Sequence, residues 1–163
     1  MDLIANLNSL GMDVNAKYRS INYGGCAVYA AIVGKELQAL GVEVKVLVGG
    51  GWSSNPAVSV DEARKNVKKI GRKTDWHENN ISFGHVGLEF FWKRRKYHYD
   101  SNGAHKPQKT LDGSTIHKGR MTLEECTAIA AEPQGWNTSF NRRQIPALRR
   151  MIKAHFAEMK AQM

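Results

Sequence analysis

Hydrophobic positions recur at helical spacing at both ends of the chain and alternate in its middle. Leu3, Ile4, Leu7 and Leu10 mark an amphipathic opening segment within residues 1–20, with Gly11 as its stop. Val28, Ala31, Ile32, Leu37 and Leu40 predict a core helix over 26–40, with Gly41 at its C′ position. Val42 to Val48 alternates with β-branched residues and predicts a strand ended by Gly49-Gly50-Gly51. The stretch from Trp52 to Asn80 is polar. It carries one short helix, capped by Ser59 or Asp61, with Ala63, Val67 and Ile70 facing inward.

Ile81 to Trp92 and Lys96 to Asp100 predict the strands of a hairpin around Lys93-Arg94-Arg95. Residues 101–120 read as loop, interrupted by Pro107, Gly113 and Gly119. Thr122-Leu123-Glu124-Glu125 has the form of a capping box with Glu125 at N3, opening a helix that closes at Pro133 and Gly135. A last helix spans 142–161, capped by Ser139 or Asn141, with Pro146 in its first turn. Ile145, Leu148, Ile152, Phe156 and Met159 form its apolar stripe.

Mixed helices and strands without repeats or linkers predict one α+β domain over residues 1–163, large enough to bury a core without staples. No apolar run is long enough to span a bilayer, and the N-terminus lacks the pattern of a secretory signal. Cys26 and Cys126 do not make a disulfide framework, which points to a reduced, cytoplasmic setting. The net charge of +9 favours acidic partners, whether protein, nucleic acid or small anion. The cations are spread over Lys65 to Lys73, Lys93 to Lys96 and Arg142 to Arg150, as on an ordinary solvated surface. No nucleic-acid-binding module accompanies them.

Candidate chemistry centres on Cys26, which follows Gly24-Gly25 at the start of the predicted core helix. The dipole and free N–H groups of a first helical turn favour a thiolate over a thiol. A nearby imidazole completes such a nucleophile, and a carboxylate fixes the imidazole tautomer. His85 and Asp100 fall on the two strands of the predicted hairpin. Opposed residues of an antiparallel pair keep a constant index sum, and side chains alternate faces. With Lys93-Arg94 as a two-residue loop, His85 faces Asn102 and lies diagonal to Asp100. An odd loop breaks that parity unless a bulge restores it.

Gly24-Gly25-Cys26-Ala27-Val28, then Leu40-Gly41-Val42, Gly84-His85-Val86-Gly87 and Tyr97-His98-Tyr99-Asp100 together resemble the transglutaminase-like branch of the papain-like superfamily. The resemblance covers residues 22–102 and lies mainly in the order Cys, His, Asp. It implies a helix carrying Cys26 packed on a small antiparallel sheet carrying His85 and Asp100. By resemblance, Cys26 is the nucleophile, His85 the general base and then acid, and Asp100 the orienting group. Two positions depart from the family. Val86-Gly87 replaces the aromatic residue that often follows the histidine. Arg19, Ser20, Ile21 and Asn22 replace the papain-type glutamine, which leaves Asn22 and the Cys26 N–H as oxyanion donors.

Each residue also has an ordinary structural role. Cys26 and His85 fit a core, Asn22 and Asp100 fit turns, Asn102 is a substitute orienter, and His98 competes as base. Cys126 reads as structural. Cys26, His77, His85, His98, His105 and His117 share no metal-ligand spacing, so neither metal nor other cofactor is expected. Trp52, Trp76, Trp92 and Trp136 are cleft or core residues, and Trp136-Asn137 suits a position near the orienter. The expected function is a cysteine hydrolase or acyltransferase acting on a peptide or isopeptide amide through a thioester. A protein or peptide is the expected substrate, with no membrane partner. The competing expectation is a non-enzymatic binder or inhibitor that uses this scaffold and its basic surface on an acidic protein or nucleic acid.

Overall fold

The computed structural model describes residues 2–22, 24–50, 58–67, 73–131 and 140–163. Helix α1 (Leu3–Lys17) starts on Asp2, whose carboxylate accepts the Ile4 and Ala5 N–H groups. It runs through Gly11 instead of stopping there. A Cβ at Gly11 would stand 2.5 Å from the Ser101 carbonyl oxygen, so the glycine serves a close approach. Burial of Leu3, Leu7, Leu10 and Val14 outweighs its poor helix propensity, about 1 kcal/mol.

Helix α2 (Cys26–Ala39) is buried from Ala27 through Gly34 and ends, as expected, before Gly41 with φ of +80°. Strand β1 (Val44–Gly50) continues through Gly49 and Gly50, past its expected end. Helix α3 (Val60–Asn66) is capped by Ser59 and buries Ala63, and a second short helix, α4 (Lys73–Glu78), follows. Gly51 and Ile70 lie outside the described residues.

Strands β2 (His85–Trp92) and β3 (Arg95–Asp100) form the hairpin, with Lys93-Arg94 as a two-residue loop. Both loop residues have positive φ, 47° and 66°, as a turn matched to strand twist requires. Leu88 faces Tyr99 and Trp92 faces Arg95, so the index sum is 187.

Residues 101–120 are not all loop. They hold β4 (Gly103–His105), β5 (Thr110–Leu111) and β6 (Ser114–Ile116). These strands are too short to show alternation. Asp112-Gly113, both at positive φ, joins β5 to β6.

Helix α5 (Leu123–Ala131) opens on the expected capping box: Thr122 Oγ1 accepts the Glu125 N–H, and Glu125 Oε1 accepts the Thr122 N–H. A 3₁₀ turn (Arg142–Gln144), capped by Asn141, leads into α6 (Ile145–Ala161), which buries Leu148, Ile152, Phe156 and Met159. Pro133, Gly135 and Ser139 lie outside the described residues.

The architecture is α+β, with the six strands in the order β4-β3-β2-β1-β6-β5 and every pairing antiparallel. A flat sheet would hold β5 about 14 Å from β2. Instead, a Cβ at Gly87 of β2 would stand 2.6 Å from Leu111 Cδ2 of β5. The sheet is therefore curled. Leu88, Phe90 and Tyr99 join the core residues of α2 in one hydrophobic cluster. Among the described residues, no helix is long and apolar enough to cross a membrane.

Candidate active site

Gly24 and Gly25 shape the approach to Cys26 in different ways. Gly24 has φ of +105°, a conformation that favours glycine. Gly25 sits where a Cβ would meet the Ile21 carbonyl oxygen at 2.6 Å and the Phe140 ring at 2.9 Å. It occupies the N-cap of α2 and supplies no side-chain cap, so the first-turn N–H groups have no such partner. Cys26 is partly exposed at this turn.

His85 opens β2 and is 1% exposed. Its Nε2 lies 2.7 Å from Asp100 Oδ2 at the end of β3. The hairpin register explains the meeting, since its pairing reaches Leu88 and Tyr99, and the same index sum carried one step further sets Asp100 on the face that His85 shares. Asp100 is itself held, because its Oδ1 accepts the Asn102 N–H at 2.8 Å.

Burial alone would push the imidazole pKa down. The Asp100 hydrogen bond and the neighbouring Cys26 thiol outweigh it and raise His85 to about 10. Nδ1 is buried and makes no hydrogen bond to any described residue. Cys26 lies close enough to the ring to help hold its proton, short of a well-formed hydrogen bond to Nδ1. His85 and Asp100 are thus joined directly, and Cys26 acts on the same imidazole.

Asn22 is tied to the turn after β3. Its Oδ1 accepts from Ser101 Oγ at 2.9 Å, and its Nδ2 reaches Asn102 Oδ1 at 3.4 Å. Asn102 contributes its backbone to Asp100 and its side chain to Asn22, while Asp100 occupies the position beside His85. His98 has both ring nitrogens committed elsewhere: Nε2 donates to Glu89 at 3.1 Å, and Nδ1 accepts the Gln108 N–H. Burial lowers its pKa against the pull of Glu89.

Cys126 is the counter-case to Cys26. It is fully buried, its thiol contacts the Ala27 carbonyl oxygen at 3.6 Å, and burial raises it to about 12.

The other sequence candidates disperse. His77 packs on Phe83, and His117 donates to the Ser82 carbonyl oxygen. Among the described residues, no three His, Cys, Asp or Glu side chains converge as a metal site. Trp76 is fully buried and Trp92 sits at the core's edge, while Trp52, Trp136 and Asn137 lie outside the described residues. Gly87 explains the missing aromatic after the histidine, because Leu111 and the Tyr99 carbonyl oxygen occupy the space a side chain needs.

One neighbour escaped the sequence reading. Asp112, in the β5–β6 turn, places Oδ2 3.8 Å from His85 Nδ1. Its signal was the Asp-Gly dipeptide, which marks a two-residue hairpin turn. The chain matches no protein-family model, no curated protein and no solved structure.

Proposed function

We propose that the protein is a papain-like or transglutaminase-like cysteine hydrolase or acyltransferase that acts on a peptide or isopeptide amide. One observation carries this reading: His85 is bonded to Asp100 through Nε2 with Nδ1 unbonded among the described residues, and Cys26 acts on the same imidazole. Cys26 Sγ attacks the carbonyl carbon, and the Cys26 N–H and Asn22 are the candidate donors to the developing oxyanion. The imidazolium gives its Nδ1 proton to the leaving nitrogen as the C–N bond breaks, leaving a thioester.

Acylation also changes His85. The sulfur no longer carries the charge that helped hold the imidazole proton. His85 is then free to take a proton from water, or from an acceptor amine, which attacks the thioester and releases Sγ. A free thiol nucleophile of this kind suits a reducing compartment such as the cytoplasm.

Iodoacetamide labelling near neutral pH tests the reading. Cys26 is expected to alkylate at least about tenfold faster than the buried Cys126, and His85→Ala to slow it by a similar factor. Equal, sluggish labelling overturns the reading, as does full activity of Cys26→Ala on a verified substrate.

A second reading, a basic binding protein, draws on the β2–β3 tip. Phe91 is 59% exposed there beside Lys93, Arg94, Arg95 and Lys96, with Lys96 Nζ 5.3 Å from its ring centroid. Binding of a single-stranded oligonucleotide that weakens steeply with salt, and fails in Phe91→Ala, would favour it.

A further inference from the structure

Asp112 is an acidic side chain that opens to solvent beside His85. Its Oδ2 lies 3.8 Å from His85 Nδ1, and its side chain is 46% exposed, whereas His85 and Asp100 are buried. The Asp112-Gly113 turn fixes the carboxylate there, with φ of +49° and +76°. Strand pairing delivers the turn to this place: Gly49 of β1 faces His85 on one side and Ile116 of β6 on the other. No described Lys or Arg forms an ion pair with Asp112, although the chain carries a net charge of +9.

We infer that Asp112 is a specificity residue that selects a cationic side chain, lysine or arginine, on the leaving side of the cleaved amide. The inference rests on the hydrolase reading, in which His85 Nδ1 hands its proton to the leaving nitrogen. A carboxylate within 4 Å of that ring nitrogen lies beside the leaving group. Asp100, by contrast, sits behind the ring on Nε2 and is shielded from substrate. A half-exposed carboxylate attracts a neighbouring cation and repels an anion by a few-fold each in rate or affinity.

Charged thiol reagents test this without a known substrate. Aminoethyl methanethiosulfonate carries a cation to Cys26, and sulfonatoethyl methanethiosulfonate carries an anion. The readout is the ratio of the two Cys26 labelling rates in wild type and in Asp112→Asn. Asparagine tolerates the left-handed backbone of this turn, so the fold is kept. The cation-to-anion ratio is expected to fall at least about threefold in Asp112→Asn and to fall further in Asp112→Lys. Paired peptides with lysine or norleucine after the cleaved bond should show the same loss of preference in kcat/KM. Brisk iodoacetamide labelling of Cys26 with an unchanged ratio overturns the inference alone. Sluggish iodoacetamide labelling overturns the hydrolase reading and the inference with it.

Discussion

Tyr29 donates a hydrogen bond to the Tyr99 hydroxyl, and Tyr99 passes its own proton to the Leu7 carbonyl oxygen. Tyr29 stands three residues after Cys26, and Tyr99 immediately precedes Asp100. The relay therefore ties the turn that carries the thiol to the strand that carries the carboxylate, with α1 as its anchor.

Removing the middle of this relay costs more than removing its end. Tyr99→Phe strands the Tyr29 hydroxyl in the core and removes the second donor to the Leu7 carbonyl, which keeps its helical bond, at about 2 kcal/mol. Tyr29→Phe leaves the Tyr99 bond to Leu7 intact and costs about 1 kcal/mol. Urea denaturation checks the order; equal stability of both variants and wild type would remove the relay from the account.

Gly25 predicts a second asymmetry. Gly25→Ala drives a methyl to 2.6 Å from the Ile21 carbonyl oxygen, a backbone atom with little room to yield. It is expected to destabilise by about 2–3 kcal/mol. Gly41→Ala meets nothing within 4 Å and bears only its left-handed backbone, about 1 kcal/mol. Thermal unfolding of the two variants separates crowding from backbone conformation.

The histidine makes a prediction about alkali. His85 holds its proton more tightly in the folded protein, with a pKa of about 10 against an ordinary 6.5. Its contribution to stability is complete below pH 6.5, declines as pH rises, and is lost through about pH 10. It amounts to a few kcal/mol. Unfolding free energy measured from pH 6.5 to 10 should therefore fall more steeply in wild type than in His85→Gln. Parallel curves would contradict the assignment.

Glu125 gives the corresponding prediction in acid. Burial raises its pKa, but Arg64 and the Thr122 backbone together hold it below the ordinary carboxylate value. Its contribution is present above about pH 4.5 and is lost as pH falls through the depressed pKa. Glu125→Gln should cost about 1–2 kcal/mol at neutral pH and lessen the acid sensitivity seen by urea denaturation.

What could be read from the chain followed the strength of local chemistry. The α2 helix, the Lys93-Arg94 turn with its register, and the Thr122–Glu125 box each carry a complete signal within a few residues. That register alone placed His85 and Asp100 on one face. Gly11 misled because propensity favours a stop, while the tertiary approach of Ser101 required a glycine inside the helix. β4, β5 and β6 escaped because two- and three-residue strands have no period, and the curl that brings β5 over Gly87 is a long-range effect. Asp112 was hidden with them.

The curled sheet also bears on how copies of this protein meet. Its outer strands, β4 and β5, are three and two residues long, and Asn8 Oδ1 already takes up the Ala104 N–H on β4. Little unpaired backbone remains for another chain to extend. Crowded copies should thus resist strand-to-strand polymerisation, and association between them falls to side chains.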